Sequence, residues 1–407
     1  MRISFFLLRV AVIHLLTGLV MAFGQGSTSV LARYDQQLAS YRASLNQLRR
    51  VHSVSRPMPD RPFFLFGMGD RRKFVYRNGL LTDALTGDTL RRWAVRRAVI
   101  VPSEYTVAIE TNQQQLVLIT ETEQGVFLRE GNQSTALSNS PFPLRLPHFN
   151  QHRYGPVLRV LHHEILINVN QGLPVPNFFV YKKPWLRDAA LMGMVMQQTG
   201  NLRLIKDWIM ALRDPFDRNN HGVAEADNPG EVLFLISLVS NKNHPLVGPT
   251  LDSARQFVKQ TATGPCIEGK TDYALHPVFQ TKWMKYGLNA LGLPDPYQIP
   301  AVYDAYSSLF WWGYKNQHVA GKRFDAANRR DYPYLAWAED HFYSRPGAPE
   351  VNGIMTDQDY PLSWEANASD AYYPGLQLLD SDLIRQKLSP PHTWHAAEMF
   401  LLLAEQK

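Results

Sequence analysis

Between about Glu130 and Tyr154 the hydrophobic pattern of the 407-residue chain changes from that of strands to that of helices, and this change constrains the fold more than any single motif. From Phe63 to about Glu130 the apolar residues form short runs rich in β-branched and aromatic side chains, separated by turn residues such as Asn78-Gly79. From Tyr154 onward convincing strands are absent, and the sequence is typical of helices joined by loops rich in proline, glycine and asparagine. The pattern therefore predicts a small antiparallel β domain followed by a larger domain of helical hairpins.

The loops of the second half indicate how these hairpins are arranged. Long loops with charged and aromatic residues alternate with short ones, as in a helical toroid whose functional loops gather on one side. The predicted helices include 185–199, 229–240, 249–263, 275–291, 300–317, 331–343, 364–380 and 392–405. We expect an N-terminal helix and linker at 25–60, a β-sandwich-like domain at 61–147 and a toroidal domain at 148–407, with 132–147 as the boundary between the last two.

The first 24 residues resemble a secretory signal peptide. Arg2 supplies the basic start, the stretch from Val10 to Phe23 is apolar, and Ala22-Phe23-Gly24 is a small-x-small cleavage site. Arg9 interrupts the apolar stretch, which is too short and broken for a transmembrane span. We expect an exported protein, periplasmic or secreted, without a stable membrane span after the signal is removed.

Composition excludes several classes of site. The single cysteine, Cys266, excludes an internal disulfide and a cysteine-rich metal site. The chain has no HExxH, phosphate-binding glycine loop or G-x-S-x-G motif, so we expect neither a metal nor a cofactor. The net charge of +6 comes partly from arginine clusters in the β region, which are interpreted as solvated strand faces rather than a nucleic-acid surface. The sequence gives no indication of oligomeric state.

A tryptophan, an arginine and an aspartate lie at the predicted start of one helix. Pro184 cannot continue a preceding helix, so the new helix begins close to Trp185 and buries the run from Ala189 to Val195. Arg187 and Asp188 are then held at the rim of a packed element, where a charge pair can bind polar ligand groups. A rim salt bridge without any ligand is the alternative.

Polar groups also gather in the later loops. The candidates for substrate binding are Trp185, Arg187, Asp188, Glu225, Asp227, Asn228, Glu231, Gln280, Lys282, Trp364, His392 and Trp394. Two loop carboxylates, Glu268 and Glu365, are the candidates for catalysis. Glu365 could instead cap a helix, and Trp394 could belong to the core.

This order of residues resembles the six-hairpin (α/α)6 glycosidases, most nearly the glucoamylase family. The segment Trp185-Leu186-Arg187-Asp188 is similar to an aromatic-x-Arg-Asp segment whose charged pair binds the non-reducing sugar in that family. Glu268 stands where the family has its general acid, and Glu365, followed by His392-Thr393-Trp394, resembles the general base and the helix after it. The resemblance covers about residues 150–407 and implies a mostly α-helical (α/α)6 toroid preceded by a small antiparallel β domain.

The resemblance implies an exported glycoside hydrolase that acts by inversion on an oligo- or polysaccharide. Such hydrolysis needs a protonated carboxyl that donates to the leaving oxygen and a carboxylate that activates water. Burial would raise the pKa of Glu268, whereas Glu365 would need a wetter setting to stay ionised. Trp185, Trp364 and Trp394 would offer flat faces to sugar rings.

Three other functions are compatible with the same residues. A phosphorylase would let phosphate attack in place of water, so that Glu365 would not act as a base. A polysaccharide lyase would abstract a proton with Tyr273 or His276 next to an acidic sugar. A non-catalytic glycan-binding protein would need neither of the two loop carboxylates.

Overall fold

The fold is mixed α/β. The computed structural model describes residues 27–52, 57–59, 61–140, 142–300, 302, 304, 306, 355–366, 376, 379 and 381–405. Of these residues, 38% are helical and 22% lie in strands. The prediction of a mostly α-helical toroid is therefore wrong. The first half consists largely of strands, and the loops of the second half pair as short two-stranded sheets.

The first half consists of one long helix and two antiparallel sheets. Helix α1 is Ser27–His52; the first sheet contains β1 Phe63–Phe66, β2 Phe74–Arg77, β3 Leu80–Asp83 and β4 Thr89–Arg92, and the second contains β5 Val95–Val101, β6 Thr106–Thr111, β7 Leu116–Glu121, β8 Gly125–Glu130 and β9 Gln133–Asn139. Within each sheet every strand pairs with the next one in sequence. Asn78 and Gly79 join β2 to β3 with φ of 47° and 76°, as a two-residue hairpin requires.

One continuous hydrophobic core joins the sheets to the helices that follow them. It includes Tyr41 from α1, Phe64 from β1, and Leu161 and Leu401 from the helical half. Strand β9 occupies part of the stretch 132–147, whose composition predicts a boundary.

The second half contains helices α2 Gly155–Leu166, α3 Leu186–Thr199, α4 Arg203–Ala211, α5 Asn228–Val239, α6 Val247–Ala254, α7 Pro277–Ala290, α8 Ser381–Arg385 and α9 Thr393–Ala404. Helix α9 packs between α2 and α3, α3 packs on α5, and α5 packs on α7. The predicted helices at 185–199, 229–240, 275–291 and 392–405 are confirmed to within a few residues.

Helices α5 and α7 approach each other through glycines. A Cβ at Gly230 would lie 2.4 Å from the backbone nitrogen of Met284, and a Cβ at Gly287 would lie 2.4 Å from the carbonyl oxygen of Gly230. Any larger residue at either position would push the two helices apart. This close packing fixes the start of α5, which carries part of the candidate site.

Four short two-stranded sheets interrupt the helical half. They pair β10 Val169–Asn170 with β11 Leu173–Pro174, β12 Val258–Thr261 with β13 Gly264–Ile267, β14 Lys270–Thr271 with β15 Ala274–Leu275, and β16 Glu365–Ala366 with β17 Leu388–Ser389. The predicted helix 249–263 is wrong beyond Ala254, because its end forms β12. The predicted helix 364–380 is wrong at its start, where Glu365 pairs with Ser389.

Several predictions fall on other parts of the chain. The signal peptide at 1–24, the helix at 331–343 and most of the helix at 300–317 lie outside the described residues. Within the described part, no helix combines the length and apolar character needed to cross a membrane.

Candidate active site

The start of α3 places Arg187 and Asp188 in the interior. Trp185 is extended, with φ −104° and ψ 132°, and the helix begins at the next residue. The free backbone N–H of Leu186 donates to the Asp217 carboxylate at 2.9 Å, which caps the helix from a neighbouring loop. Gly200, with φ 74°, ends the helix. Arg187 and Asp188 are 2% and 3% exposed, so they are buried groups rather than rim residues.

The guanidinium of Arg187 is surrounded by three carboxyl groups, and we call these four residues the Arg187 cluster. Nη1 and Nη2 of Arg187 donate to the two oxygens of Asp272 at 2.9 and 3.2 Å. Carboxyl oxygens of Glu225 and Asp227 lie 3.6 and 3.4 Å from the guanidinium. Three acids around one cation leave an excess of negative charge unless some of them bind protons.

The deeper acids of this region hold protons more tightly than usual. Burial raises the pKa of Glu225 to about 7, although Arg187 opposes the shift. Burial also raises the pKa of Asp227 and places that of Glu231 well above its usual range. Glu231 is connected through Asn228, whose Nδ2 donates to it at 3.2 Å.

Asp272 is the ionised carboxyl of the cluster. Burial alone would raise its pKa, but the charge of Arg187 and hydrogen bonds from Asn220, at 2.8 Å, and Tyr306, at 2.9 Å, lower the pKa of Asp272. Asp272 and Tyr273 form the turn between β14 and β15 with φ of 46° and 68°. This left-handed backbone costs about 1 kcal/mol for a residue such as Tyr273. The turn leaves the Asp272 side chain 30% exposed.

Glu365 is a second accessible carboxyl. Its position in β16 is fixed by pairing with β17, and its side chain is 23% exposed. The Tyr181 hydroxyl lies 2.9 and 3.0 Å from its two oxygens, and the Ser389 hydroxyl donates to it at 3.3 Å. Burial and, to a smaller extent, the nearby charge of Asp272 raise the pKa of Glu365 to about 7 against these hydrogen bonds. A substantial fraction of Glu365 is therefore protonated at neutral pH.

His392 connects Glu365 to Asp188. Its Nε2 lies 3.3 Å from Glu365 and 3.8 Å from Asp188, and the Thr393 hydroxyl donates to Asp188 at 2.8 Å. Burial lowers the pKa of His392, although Asp188 opposes the shift, so the imidazole is neutral at neutral pH. Glu365 and the Arg187 cluster thus share one region at the N-terminal ends of α3, α5 and α9.

Aromatic rings flank these carboxyl groups. The guanidinium of Arg187 lies 5.2 Å from the ring centre of Trp394 and 5.9 Å from that of Trp185. Tyr306 meets Trp394 edge-on at 5.7 Å. Tyr273, next to Asp272, is 63% exposed. Carboxyl groups beside aromatic faces are suited to sugar rings, which present hydroxyls at their edges and C–H groups on their faces.

Glu268 lies apart from this region. Its carboxylate pairs with Lys259, which precedes it on the β12–β13 hairpin, and its N–H donates to the Phe257 carbonyl at 2.8 Å. Among the contacts of the described residues, none joins the Glu268 carboxylate to Glu365 or to the Arg187 cluster.

Three other predicted residues are largely buried. Trp364 is 1% exposed and packs in the core. Gln280 donates to Gly269 and Thr271 at 2.8 and 2.9 Å, so it holds the loop that precedes Asp272. Lys282 is 1% exposed, and burial lowers its pKa to about 8 while Asp304 opposes the shift.

Asp272 and Tyr181 are site residues that the sequence did not single out. Asp272 stands in the same loop as Glu268, and Tyr181 stands shortly before the Trp185 motif. Sequence order alone does not tell which acid of a loop points inward, because that depends on where the hairpin turns. The left-handed turn at Asp272 and Tyr273 provides that direction.

Comparison with known proteins finds no matching family model, no matching curated protein and no matching solved structure. No group of three or more His, Cys, Asp or Glu residues in the described ranges is arranged to hold a metal ion.

Proposed function

We propose that this protein is a glycoside hydrolase whose two working carboxyl groups are Glu365 and Asp272. The observation that carries the proposal is that the pKa values of two accessible acids in one region are shifted in opposite directions. The pKa of Glu365 is raised to about 7 and that of Asp272 is lowered. Pairs of carboxyls whose surroundings push their pKa values apart are typical of glycosidase acid and base assignments.

In this reaction Glu365 donates its proton to the leaving glycosidic oxygen. Its raised pKa gives it the role of the acid, whereas the family resemblance implied the role of the base. Asp272 stabilises the positive charge that develops on the sugar and accepts a proton from the attacking water. The attacking water would take the place of the Tyr306 hydroxyl, which donates to Asp272 at 2.9 Å.

The negative charge of the region argues against the two alternative reactions. Phosphorolysis needs a cation for phosphate, but the Arg187 guanidinium is already bound to Asp272 through two hydrogen bonds. A lyase acts beside the carboxylate of an acidic sugar, which the neighbouring ionised Asp272 would repel. Neutral oligosaccharides are therefore the substrates we expect.

The test compares Glu365→Gln and Asp272→Asn with Glu268→Gln on a panel of chromogenic glycosides and neutral oligosaccharides. Loss of a general acid or base typically lowers kcat by about 10²–10⁴-fold. We expect losses of this size for the first two variants. The matched control Glu268→Gln, which loses only its partner Lys259, should stay near wild-type activity.

Two outcomes would contradict the proposal. An active wild type with Glu365→Gln and Asp272→Asn near full activity would show that other groups perform the chemistry. Binding of a glycan without any turnover would indicate a non-catalytic glycan-binding protein instead.

A further inference from the structure

A buried glutamate outside the site holds the segment that carries Glu365. Glu164, on the last turns of α2, is fully buried. Its Oε1 accepts the backbone N–H of Leu362 at 2.5 Å, and its Oε2 accepts the backbone N–H of Ser363 at 2.9 Å. The Ser363 hydroxyl also donates to Oε2. One carboxylate thus binds three donors from two consecutive residues.

The same serine extends this arrangement to His392. Its hydroxyl donates to Glu164 and accepts the backbone N–H of His392 at 3.0 Å. Nε2 of His392 lies 3.3 Å from Glu365, which stands two residues after Ser363. From Ser363, Glu164 is therefore connected to Glu365 both along the chain and through the start of α9.

In this arrangement both carboxyl oxygens of Glu164 act as hydrogen-bond acceptors. Burial raises the pKa of Glu164 to about 7, while the donors from Leu362 and Ser363 oppose the shift. The titratable neighbours that face it are Tyr41 of α1 and Tyr360, and burial keeps the pKa of each well above its usual value. Glu164 is consequently the group of this set that changes charge near neutral pH.

We propose that Glu164 is a positioning residue that fixes the Leu362–Glu365 segment and thereby sets the environment of the Glu365 carboxyl. Its importance for catalysis rests on the proposed hydrolytic function. Its effect on Glu365 is a separate property, which can be measured without a substrate.

The experiment measures the titration of Glu365 by carbon-13 NMR of glutamate carboxyls, with Glu365→Gln used for assignment. In Glu164→Gln, the new amide N–H₂ faces a backbone donor, so the segment should loosen and water should reach Glu365. We expect the apparent pKa of Glu365 to fall by about one unit toward its ordinary value.

Glu121→Gln is the matched control. Glu121 is also a buried glutamate that accepts two consecutive backbone N–H groups, from Gly67 and Met68 at 2.8 and 2.7 Å. It lies in the β region, and the hydrogen bonds and ion pair of its carboxylate within the described residues go to Gly67, Met68 and Arg71, not to the 362–365 segment. Its variant should leave the Glu365 titration unchanged.

Ser363→Ala is the second variant, and it decides the question if Glu164→Gln does not fold. It preserves the Glu164 charge and both backbone donors but removes the connection to His392, so a smaller shift in the same direction is expected. An unchanged Glu365 titration in every folded variant, or an equal shift in Glu121→Gln, would overturn the proposal. Absence of glycosidase activity would count against the hydrolytic function and not against this role.

Discussion

Arg187 binds Asp272 through two parallel hydrogen bonds, from Nη1 at 2.9 Å and from Nη2 at 3.2 Å. The pair joins the first turn of α3 to the turn between β14 and β15, which are 85 residues apart in the sequence. A planar guanidinium fits a carboxylate in this way, and an ammonium group does not. The pair therefore fixes both the position and the ionised state of Asp272.

Replacing Arg187 with methionine should destabilise the protein by about 3–5 kcal/mol, the usual cost of leaving buried charges unpaired. The loss should be larger at pH 8 than at pH 5. With its pKa raised to about 7, Glu225 stays protonated at the lower pH, so fewer charges are then left without a partner. Urea unfolding at the two pH values measures this difference.

Arg42→Met is the comparison for that experiment. Arg42 pairs with Asp359, but its side chain is 55% exposed. An exposed pair contributes less than about 1 kcal/mol. Equal losses in the two variants, or a loss in Arg187→Met that does not grow with pH, would contradict the description of a buried acidic cluster.

Glu164 should make folding stability depend on pH in a defined direction. Its folded pKa of about 7 lies above its ordinary value of 4.5, so its contribution is fully present below about pH 4.5 and is lost as pH rises through 7. The shift corresponds to about 3 kcal/mol. The glutamine side chain in Glu164→Gln does not titrate. The difference in unfolding free energy, wild type minus variant, should therefore fall by about 3 kcal/mol between pH 4.5 and pH 8.

The comparison with Glu164→Gln separates the pH dependence due to Glu164 from that of groups whose pKa values are shifted in the opposite direction. Burial lowers the pKa values of His162 and His163 to about 3, so their contributions are lost as pH falls below 6.5. These contributions are common to wild type and variant and cancel in the difference. A pH-independent difference would mean that Glu164 titrates normally in the folded protein.

The sequence predicted the local elements better than their assembly. Hydrophobic periodicity located helix α3, since Pro184 and Gly200 bound a single buried run. It did not separate Val258–Thr261 from the helix before it, because a short apolar or β-branched run is compatible with either structure. Pairing with Gly264–Ile267, a tertiary preference, decided in favour of the strand.

In the candidate site, too, the sequence predicted local features better than their arrangement in space. Arg187 was predicted as a site residue from its position at a helix start, and Glu225 and Asp227 from their place in a polar loop; the three lie together. Glu268 was chosen over Asp272 within one loop, although the structure joins only Asp272 to Arg187. The direction of the Asp272 side chain follows from the β14–β15 turn, which no sequence pattern predicted.

Hydrolysis should slow as pH rises through about 7, because Glu365 must carry the proton that it donates. The descending limb of kcat/KM against pH reports this ionisation in the free enzyme. Tyr181→Phe removes a hydrogen bond that lowers the pKa of Glu365, so the limb should move to higher pH. A limb that stays in place, or moves to lower pH, would show that the acid is another group.

Tyr273 should contribute to binding at a cost in stability. Its exposed ring stands beside Asp272, and its backbone is left-handed with φ 68°. Asparagine tolerates this conformation better than tyrosine, so Tyr273→Asn should be as stable as wild type or more stable. The same variant lacks the ring and should bind longer oligosaccharides roughly tenfold more weakly, the value of one stacking contact.

Two variants on the same hairpin separate the ring from general surface effects. Tyr273→Phe preserves the ring and should bind as wild type does. Leu275→Ala removes another exposed apolar side chain, 58% exposed, and should also leave binding unchanged. Calorimetric titration with a glycan series gives the affinities, and thermal unfolding gives the stabilities. If Tyr273→Asn binds like wild type, the strained turn serves only to direct Asp272 toward Arg187.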